Sequence, residues 1–405
     1  MDKKIKPQNL KGFRDFLPSQ ALARGFVIGK IKDVFEKFGF DPLETPALEY
    51  AETLLGKYGE DADRMIYLFE DRGKRRVGLR YDQTVPLARV IAQYQTLPKP
   101  FKRYQIQPVW RAENTQKGRF REFMQCDIDT IGSKNILADA EIINAVMTTV
   151  KSLGFKNAKM LINDRSIFAS LKPGFIVAID KLVKVGKEGV TKELVGRGMK
   201  KNEAEKLIDS FDSKRPTPLL QTLFESLKQS GLKEGVDFEF SPTLARGLDY
   251  YTGTIFELVV KDYEGGSLGG GGRYDKLIGQ FIGTDVPATG FAFGFDRLVE
   301  AMAELDLLPK TPTATSVLVT IFSQELLPKS LSIVTELRNN NVNADIVLDA
   351  ETKLDKQLKY ANNKGIPYVV IVGSEEVKKN VVKLKDMKTG EQKELTIEDC
   401  IALCK

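Results

Sequence analysis

Four segments of the sequence place arginines and carboxylates together in short, mostly apolar surroundings. They are LRYDQTVPLARV (79–90), QPVWRAENTQKGRFREFMQCDID (107–129), LARGLDYYTG (244–253) and GFAFGFDRL (290–298). Arg111, Arg246 and Arg297 stand in apolar or glycine-rich stretches and not in charge runs. A guanidinium binds phosphate or carboxylate through two parallel hydrogen bonds. Taken singly, each arginine is more often structural; together they predict a pocket for a polyphosphate and a hydrogen-bonding substrate.

The chain of 405 residues contains no histidine, which removes several kinds of catalysis at once. A Ser–His–Asp triad, a Cys–His dyad and an imidazole base are all excluded. With only three cysteines besides, a zinc site is not expected. Any catalysis must therefore use carboxylates, Arg, Lys, Tyr, backbone dipoles or a metal ion that arrives with a ligand.

The composition is that of an ordinary soluble protein, with 42% hydrophobic and 29% charged residues and a net charge of +6. Three cysteines cannot form a disulfide framework and favour a reducing compartment. No apolar run approaches the length of a membrane span, and the N-terminus has no apolar signal core. We therefore expect a cytoplasmic protein of two or three domains that does not enter a membrane.

The order of predicted elements gives the fold class. Apolar residues at helical spacing predict a helix over residues 20–39. From residue 41 to residue 165, short β-rich runs alternate with helices, and the last of these is a long helix over 139–153. Strands in succession favour an antiparallel sheet with helices beside it, and hence an α+β fold. Residues 165–235 are rich in Lys, Glu and Leu and predict a helical insertion.

The strand pattern returns after the insertion, with a helix predicted from Tyr274. A linker rich in Pro, Thr and Ser at 308–316 then leads to alternating strands and helices. The sequence thus predicts a domain over 1–310, which includes the insertion, and a small α/β domain over 316–405. Lysine plus arginine balance aspartate plus glutamate in the second domain, so charge alone does not mark it as a nucleic-acid binder.

The four segments also have predicted positions on these elements. Asp82 follows a short strand and precedes a helix, and Arg297 opens a helix. Residues 107–129 read as a long hairpin with Arg111 and Glu113 on its first strand. On the second strand Phe123, Gln125, Asp127 and Asp129 alternate, so they share one face. In the third segment Arg246, Asp249, Tyr250 and Tyr251 precede a strand.

The glycine-rich stretch GGSLGGGGRYDKL (265–277) has three interpretations. It lacks the lysine pattern of a P-loop, and glycines this dense match a dinucleotide fingerprint by accident. On composition alone a flexible hairpin is favoured. The third interpretation is a close approach of the backbone to a flat ligand.

At this point the chain resembles the class II aminoacyl-tRNA synthetases, and specifically the histidyl-tRNA synthetase family. The hairpin 107–129 resembles motif 2, GFAFGFDRL resembles motif 3, and GFDPLETPALE with Pro46 resembles the dimer-interface motif 1. RGLDYYTG resembles the histidine-specific signature, and KGFRDFLP the N-terminal strand of the family. The resemblance covers nearly the whole chain, and residues 316–405 resemble the anticodon-binding domain.

The resemblance implies a role for each of eleven residues. Arg111 and Arg297 bind ATP phosphates, Glu113 and Phe123 contact the adenine, and Arg246 binds the α-phosphate and the amino-acid carboxylate. For the histidine substrate the family pattern implies Asp82, Thr84, Gln125, Asp129, Tyr251 and Tyr274, with glycines 269–272 beside them. Asp82 and Asp129 stand where many bacterial members carry Glu, which shortens their reach by about one bond.

The implied activity is that of a histidine–tRNA ligase. Histidine and ATP form histidyl-adenylate, and the histidyl group then passes to tRNA(His). Mg²⁺ arrives with ATP, zinc is not needed, and the implied assembly is a homodimer. Three other functions remain open: a regulatory paralogue without catalysis, a synthetase for threonine, proline or serine, and a general tRNA-binding module.

Overall fold

The structure is a computed structural model that describes residues 5–56, 64–115, 119–246 and 250–405. The chain divides into two compact units. Val27–Leu308 and the residues up to Asp15 form the first unit, and Phe16–Phe26 with Pro309–Lys405 form the second.

Eleven strands of the first unit form two sheets. They are β1 (Asp41–Pro42), β2 (Leu48–Tyr50), β3 (Leu68–Glu70), β4 (Arg76–Leu79), β5 (Phe101–Trp110), β6 (Glu122–Ile131), β7 (Ala158–Asp164), β8 (Phe238–Phe240), β9 (Thr254–Val260), β10 (Gly269–Arg273) and β11 (Ala288–Gly294). The larger sheet has eight strands in the order β1-β5-β6-β11-β10-β9-β7-β8. All pairs between β5 and β7 are antiparallel, while the edge strands β1 and β8 pair in parallel. The predicted α+β class with an antiparallel sheet is confirmed.

The smaller sheet has the order β2-β4-β3 and is antiparallel throughout. Tyr50 and Phe69 both pair with Val77 of the middle strand, so these side chains share a face. Leu48 lies on the same face two residues before Tyr50. Their exposed fractions are 45% for Leu48, 52% for Tyr50 and 45% for Phe69. This sheet therefore presents an apolar face to the surface.

The helices that accompany these sheets follow the apolar spacing of the sequence. They are α1 (Pro18–Lys37), α2 (Ala51–Leu54), α3 (Thr84–Gln93), α4 (Leu137–Ser152), α5 (Pro173–Ile179), α6 (Leu182–Gly196), α7 (Lys201–Ser210), α8 (Pro218–Gln229), α9 (Gly279–Ile282) and α10 (Phe295–Glu304). In α1 the buried residues Val27, Ile31, Val34 and Phe35 recur every three or four positions. The helix predicted over 20–39 is thus present.

The main core lies between the large sheet and the helices α1, α4 and α8. Helix α8 buries Leu220, Leu223, Phe224 and Leu227 along one stripe. Each such side chain contributes about 1.5–3 kcal/mol by leaving water, which explains why this helix packs on α4 and the main core. Although α8 falls within the segment predicted as an insertion, it belongs to the body of the first unit.

Helices α5, α6 and α7 instead share a second apolar cluster with the segment that precedes β9. Ala178 and Ile179 of α5 are fully buried there, together with Ala245. The cluster also contains Tyr251, Ile255 and residues of α3. This packing brings the helical segment against the third arginine-bearing segment of the sequence.

The helix predicted from Tyr274 is wrong. Strand β10 ends at Arg273, the next residues form a turn, and α9 covers only Gly279–Ile282. The backbone N–H of Tyr274 still donates to the carbonyl of Ala288 at 2.7 Å. That bond extends the β10–β11 pairing by one residue, and the turn that follows delays the helix until Gly279.

The second unit contains a five-stranded sheet in the order β13-β12-β14-β15-β16. Its elements are β12 (Val317–Val319), α11 (Leu327–Asn339), β13 (Ala344–Ile346), α12 (Leu354–Lys364), β14 (Tyr368–Ile371), α13 (Ser374–Lys379), β15 (Val382–Asp386), β16 (Gln392–Leu395) and α14 (Ile397–Cys404). The first three strands are parallel and the last two antiparallel. The predicted small α/β domain is confirmed, whereas α13, β16 and α14 were not predicted.

Candidate active site

A cavity of about 450 Å³ lies over strands β6, β11 and β10 of the large sheet. Nine of the eleven residues predicted from the sequence are in its lining: Asp82, Thr84, Arg111, Glu113, Phe123, Gln125, Arg246, Tyr251 and Arg297. They come from elements that are far apart in the sequence. Asp129 and Tyr274 are not in the lining, and Asp249 lies outside the described residues.

The loop between β4 and α3 carries Asp82 and Thr84 to the cavity. Oδ1 of Asp82 accepts the backbone N–H of Val85 at 3.1 Å. A carboxylate at this place is favoured because the first turn of a helix presents free N–H groups. The start of α3 therefore fixes the position of Asp82.

The neighbouring Arg80, by contrast, is a structural residue. Its side chain is 2% exposed, and Nη1 donates to the carbonyl of Pro46 at 3.2 Å and to Gln107 Oε1 at 2.9 Å. Nε donates to the carbonyl of Pro108 at 3.0 Å. These bonds tie the segment before β2 to strand β5, and burial lowers the pKa of the guanidinium.

Strand β5 ends at Trp110, so the prediction that Arg111 and Glu113 lie on the first strand of the hairpin is wrong. Arg111 directly follows the strand and lies beside an aromatic ring. Its Nε donates to the carbonyl of Tyr81 at 2.9 Å, and Cζ lies 5.1 Å from the centroid of the Phe123 ring. A guanidinium within about 6 Å of a ring face gains a cation–π attraction. Phe123 on β6 therefore helps to orient Arg111 in the cavity wall.

Arg246 reaches the cavity from a strained backbone. Its φ angle is +56°, in the left-handed region that residues other than glycine rarely adopt. The side chain is 21% exposed, and Nη1 lies 3.5 Å from Glu257 Oε1 on β9. The guanidinium lies directly against the backbone of Gly270, so close that a Cβ at that position would be 2.2 Å from Nη1.

Arg297 is in the first turn of α10, directly after β11. Its Nη1 donates to the carbonyl of Ser267 at 3.0 Å. The preceding residue, Asp296, accepts the backbone N–H of Met124 at 3.1 Å, and Oδ1 lies 3.1 Å from Arg14 Nη2. These contacts hold the beginning of α10 against strand β6. They also fix the position of Arg297, the third arginine of the cavity.

The glycine-rich stretch contains the second strand of an antiparallel β9–β10 hairpin, and this strand lies in the middle of the sheet. Strand β10 pairs with β11 on one side and with β9 on the other. A Cβ at Gly272 would lie 2.8 Å from the Tyr251 ring, and one at Gly290 would lie 1.9 Å from Asp129 Oδ1. The glycines therefore let functional side chains lie flat on the sheet. The close approach of this backbone to a flat ligand stays a prediction, and Gly269 and Gly270 do lie in the cavity lining.

Asp129 and Tyr274 form a buried layer beside the cavity with Arg103, a residue that the sequence did not single out. Asp129 Oδ2 lies 2.7 Å from Arg103 Nη2, and the Tyr274 hydroxyl donates to Oδ1. Burial raises the pKa of Asp129 and the pKa of the Tyr274 phenol. The hairpin register pairs Arg103 with Asp129 across β5 and β6. Counting outward from the loop could have identified this pair.

Asp127 belongs to the same layer and is 2% exposed. Burial raises the pKa of its carboxyl well above the ordinary value, Arg103 opposes that rise, and the nearby Asp129 and Asp82 add to it. Along strand β6, Phe123 and Gln125 thus face the cavity, and Asp127 and Asp129 face the buried layer beside it. All four share one face, as the alternation predicted.

The sequence model of the histidyl-tRNA synthetase family matches residues 12–185 and 190–298. The chain belongs to this family. A second model, for an anticodon-binding domain, matches residues 316–405. Together the two models cover both units, and their matches include all eleven residues predicted for the site.

Relatives in this family match along nearly their whole length. A histidine–tRNA ligase of Cytophaga hutchinsonii is 37% identical over 98% of this chain and 99% of its own. One of Wolinella succinogenes is 38% identical over 96% of each chain. The crystal structure of the histidyl-tRNA synthetase of Nostoc is 31% identical, with a TM-score of 0.86 over 99% of both chains.

Within the histidyl-tRNA synthetase fold, the cavity also has lining residues that the motifs did not indicate. Met65, Tyr81, Phe120, Ser267, Leu268 and Asp296 are among them. All of these except Met65 lie within the segments singled out from the sequence, but no spacing there marks them as functional.

Two further findings concern metals and membranes. Among the described residues, no group of three or more Asp, Glu or Cys side chains is placed to hold a metal ion. Within the same ranges, no helix combines the length and the apolar character needed to cross a bilayer.

Proposed function

We propose that the protein activates L-histidine with ATP and transfers the histidyl group to the 3′ end of tRNA(His). The observation that supports this most directly is the convergence of Arg111, Arg246 and Arg297 on one cavity, from three separate parts of the chain. Three guanidinium groups around one space suit a triphosphate and a carboxylate. Membership of the histidyl-tRNA synthetase family supports histidine as the amino acid.

In the first step, a carboxylate oxygen of histidine attacks the α-phosphorus of ATP, which enters with Mg²⁺. An oxygen–phosphorus bond forms, the bond to the β-phosphate oxygen breaks, and pyrophosphate leaves with the electron pair. The carboxylate is already ionised at neutral pH, so no base is required. Catalysis then consists of in-line positioning and stabilisation of negative charge, which arginines provide without any imidazole.

The three arginines divide this task. Arg111 and Arg297 hold the phosphates of ATP, and Arg246 bridges the α-phosphate and the histidine carboxylate. The adenine lies beside Glu113 and on Phe123, whose ring is already adjacent to Arg111. In the second step, a ribose hydroxyl of the tRNA attacks the acyl carbon, AMP leaves, and a phosphate oxygen of the adenylate accepts the hydroxyl proton.

Histidine is recognised by polar groups on β6 and around it. Gln125 is in the cavity lining, and among the described residues nothing donates a hydrogen bond to its buried Oε1. A buried acceptor without a donor is unfavourable, and an N–H of the substrate would satisfy it. Asp82 and Thr84 complete the amino-group side, and Tyr251 contacts the ring.

Asp129 and Tyr274 recognise the imidazole from the buried layer beside the cavity. Their mutual hydrogen bond and the ion pair to Arg103 fix both groups in place. A site built to hydrogen-bond its ligand rejects analogues that lack the matching groups by about 10⁴–10⁵-fold, because a buried acceptor such as Gln125 Oε1 then stays unpaired. This selectivity explains why no editing step is needed.

We also propose a cytoplasmic homodimer. The exposed apolar face of Leu48, Tyr50 and Phe69 lies on the sheet of the motif 1 segment and supports an interface between two copies. Tyr50→Asp should give a monomer in sedimentation experiments. A dimer that survives this change would place the interface elsewhere.

The function is tested by ATP–pyrophosphate exchange with each of the twenty amino acids. We expect exchange with histidine and at least 10³-fold less with threonine, proline or serine. No exchange with any amino acid would instead indicate a regulatory paralogue. One solved structure, from Bacillus halodurans, is titled as both a regulatory subunit and a synthetase, but at 22% identity it shows a common fold only.

A further inference from the structure

The backbone of Arg246 is held by a side chain from the helical segment. Asp180 directly follows α5, and its Oδ1 accepts the backbone N–H of Ala245 and that of Arg246, both at 3.0 Å. Two successive N–H groups that converge on one anionic oxygen form the arrangement known as a nest. Here the anion is a carboxylate more than sixty residues away in the chain.

Arg246 requires such support because its φ of +56° is strained. Other side chains bind the residues before it. Asn163 Nδ2 donates to the carbonyls of Pro242 at 3.0 Å and Leu244 at 2.9 Å. Among the described side chains, that of Asp180 accepts a hydrogen bond from the backbone N–H of Arg246 itself. It therefore acts at the point where the left-handed conformation begins.

Asp180 is itself held firmly. Ala178 and Ile179, the two residues before it, are fully buried in the apolar cluster that also contains Ala245. The acceptor and the two donors are thus attached to the same packed core. At the other end of this connection, the Arg246 guanidinium lies against Gly270 in the cavity.

We propose that Asp180 is a positioning residue that holds Arg246 in its left-handed conformation and so places its guanidinium at the reacting phosphate. The inference rests on the proposed function, because it concerns how that site is assembled. Asp180 touches neither ATP nor histidine in this proposal. The catalytic contact is made by Arg246.

The test is a double-mutant cycle measured by histidine-dependent pyrophosphate exchange. Asp180→Ala should lower kcat about 10- to 100-fold, with a smaller change in KM, because a misplacement near 1 Å has effects of this size. In an Arg246→Ala background the same change should cost less than about two-fold. Equal losses in both backgrounds, or full activity of Asp180→Ala, would overturn the proposal.

Two companion variants separate positioning from general destabilisation. Asp180→Asn keeps an oxygen acceptor and should retain activity within about five-fold, whereas Asp180→Leu removes the acceptor at a similar size and carries the cycle if Asp180→Ala does not fold. Asp209→Ala, also in the helical segment, removes a carboxylate that pairs with Lys187 on the surface. This control should match the unmodified protein, and a loss equal to that of Asp180→Ala would also contradict the proposal.

A crystal structure of Asp180→Ala adds a readout that does not depend on activity. We expect the φ of Arg246 to leave the left-handed region and the guanidinium to move from Gly270. An unchanged Arg246 would refute the inference even if the variant is slow. Absence of exchange in the unmodified protein would refute the proposed function and leave this structural comparison as the test of Asp180.

Discussion

Gly270→Ala should inactivate the protein without unfolding it. The added Cβ would lie 2.2 Å from Arg246 Nη1 and 2.4 Å from Cζ, whereas ordinary contact begins at 3.4 Å. The guanidinium is the movable end of a long side chain, so it can retreat. To restore ordinary contact, the guanidinium has to move by about 1.2 Å. A displacement of this size at a reacting group lowers the rate about 10²-fold. This corresponds to a loss of about 2.7 kcal/mol of transition-state stabilisation.

A neighbouring glycine provides the contrast. A Cβ at Gly271 would lie 2.0 Å from the backbone carbonyl oxygen of Gly290, which cannot retreat without breaking the β10–β11 pairing. Gly271→Ala should therefore lower the melting temperature strongly. Gly29→Ala in α1 meets nothing within 4 Å and serves as the neutral control.

The assay is pyrophosphate exchange with histidine at a temperature where circular dichroism shows all variants folded. We expect Gly270→Ala to lose activity while it melts within a few degrees of the unmodified protein. Near-normal exchange by Gly270→Ala would refute the reasoning, because the Arg246 guanidinium would then not need the place that the structure gives it.

Three further predictions concern other residues. Phe123→Ala should weaken ATP binding about ten-fold in equilibrium titrations, because a ring beside a guanidinium contributes about 1–2 kcal/mol, and Phe123→Tyr should not; equal affinities for the two variants would contradict the contact. Burial raises the pKa of Asp127 in the folded protein, so this carboxyl loses its proton at a lower pH in the unfolded chain. The free energy of unfolding therefore falls as the pH rises above about 4. Asp127→Asn should remove this pH-dependent loss, so in urea titrations its free energy of unfolding should exceed that of the unmodified protein by an amount that grows with pH. A difference independent of pH would contradict the prediction. Because the chain has no histidine, histidine starvation should lower its synthesis less than that of histidine-containing proteins in pulse labelling, and equal losses would dismiss the idea.

Much of the fold could be predicted because local patterns and tertiary packing agree. The apolar spacing of α1 faces the core, and the alternation along β6 places four side chains on one face, both as expected. The exceptions have physical causes. Glycines 269–272 have no propensity that marks a strand, and they form one because β9 and β11 pair with them on both sides. Two of them leave room for side chains, Gly270 for Arg246 and Gly272 for Tyr251.

Only those site residues that belong to a recognisable sequence motif could be predicted. Arginines in apolar surroundings and a resemblance to a family indicated nine residues of the cavity lining. Neither indicated Arg103, whose function depends on cross-strand register, nor Asp180, whose hydrogen bonds span 65 and 66 residues. Contacts of this kind follow from tertiary structure and leave no local signal in the sequence.

The central claim is that arginines, and no imidazole, activate the histidine carboxylate. The most direct measurement is single-turnover formation of histidyl-adenylate by Arg246→Ala, with and without added guanidinium ion at a concentration that leaves the protein folded. We predict a rate about 10³-fold below that of the unmodified protein, partly restored by the free guanidinium. Adenylate formation at the unmodified rate would contradict the account.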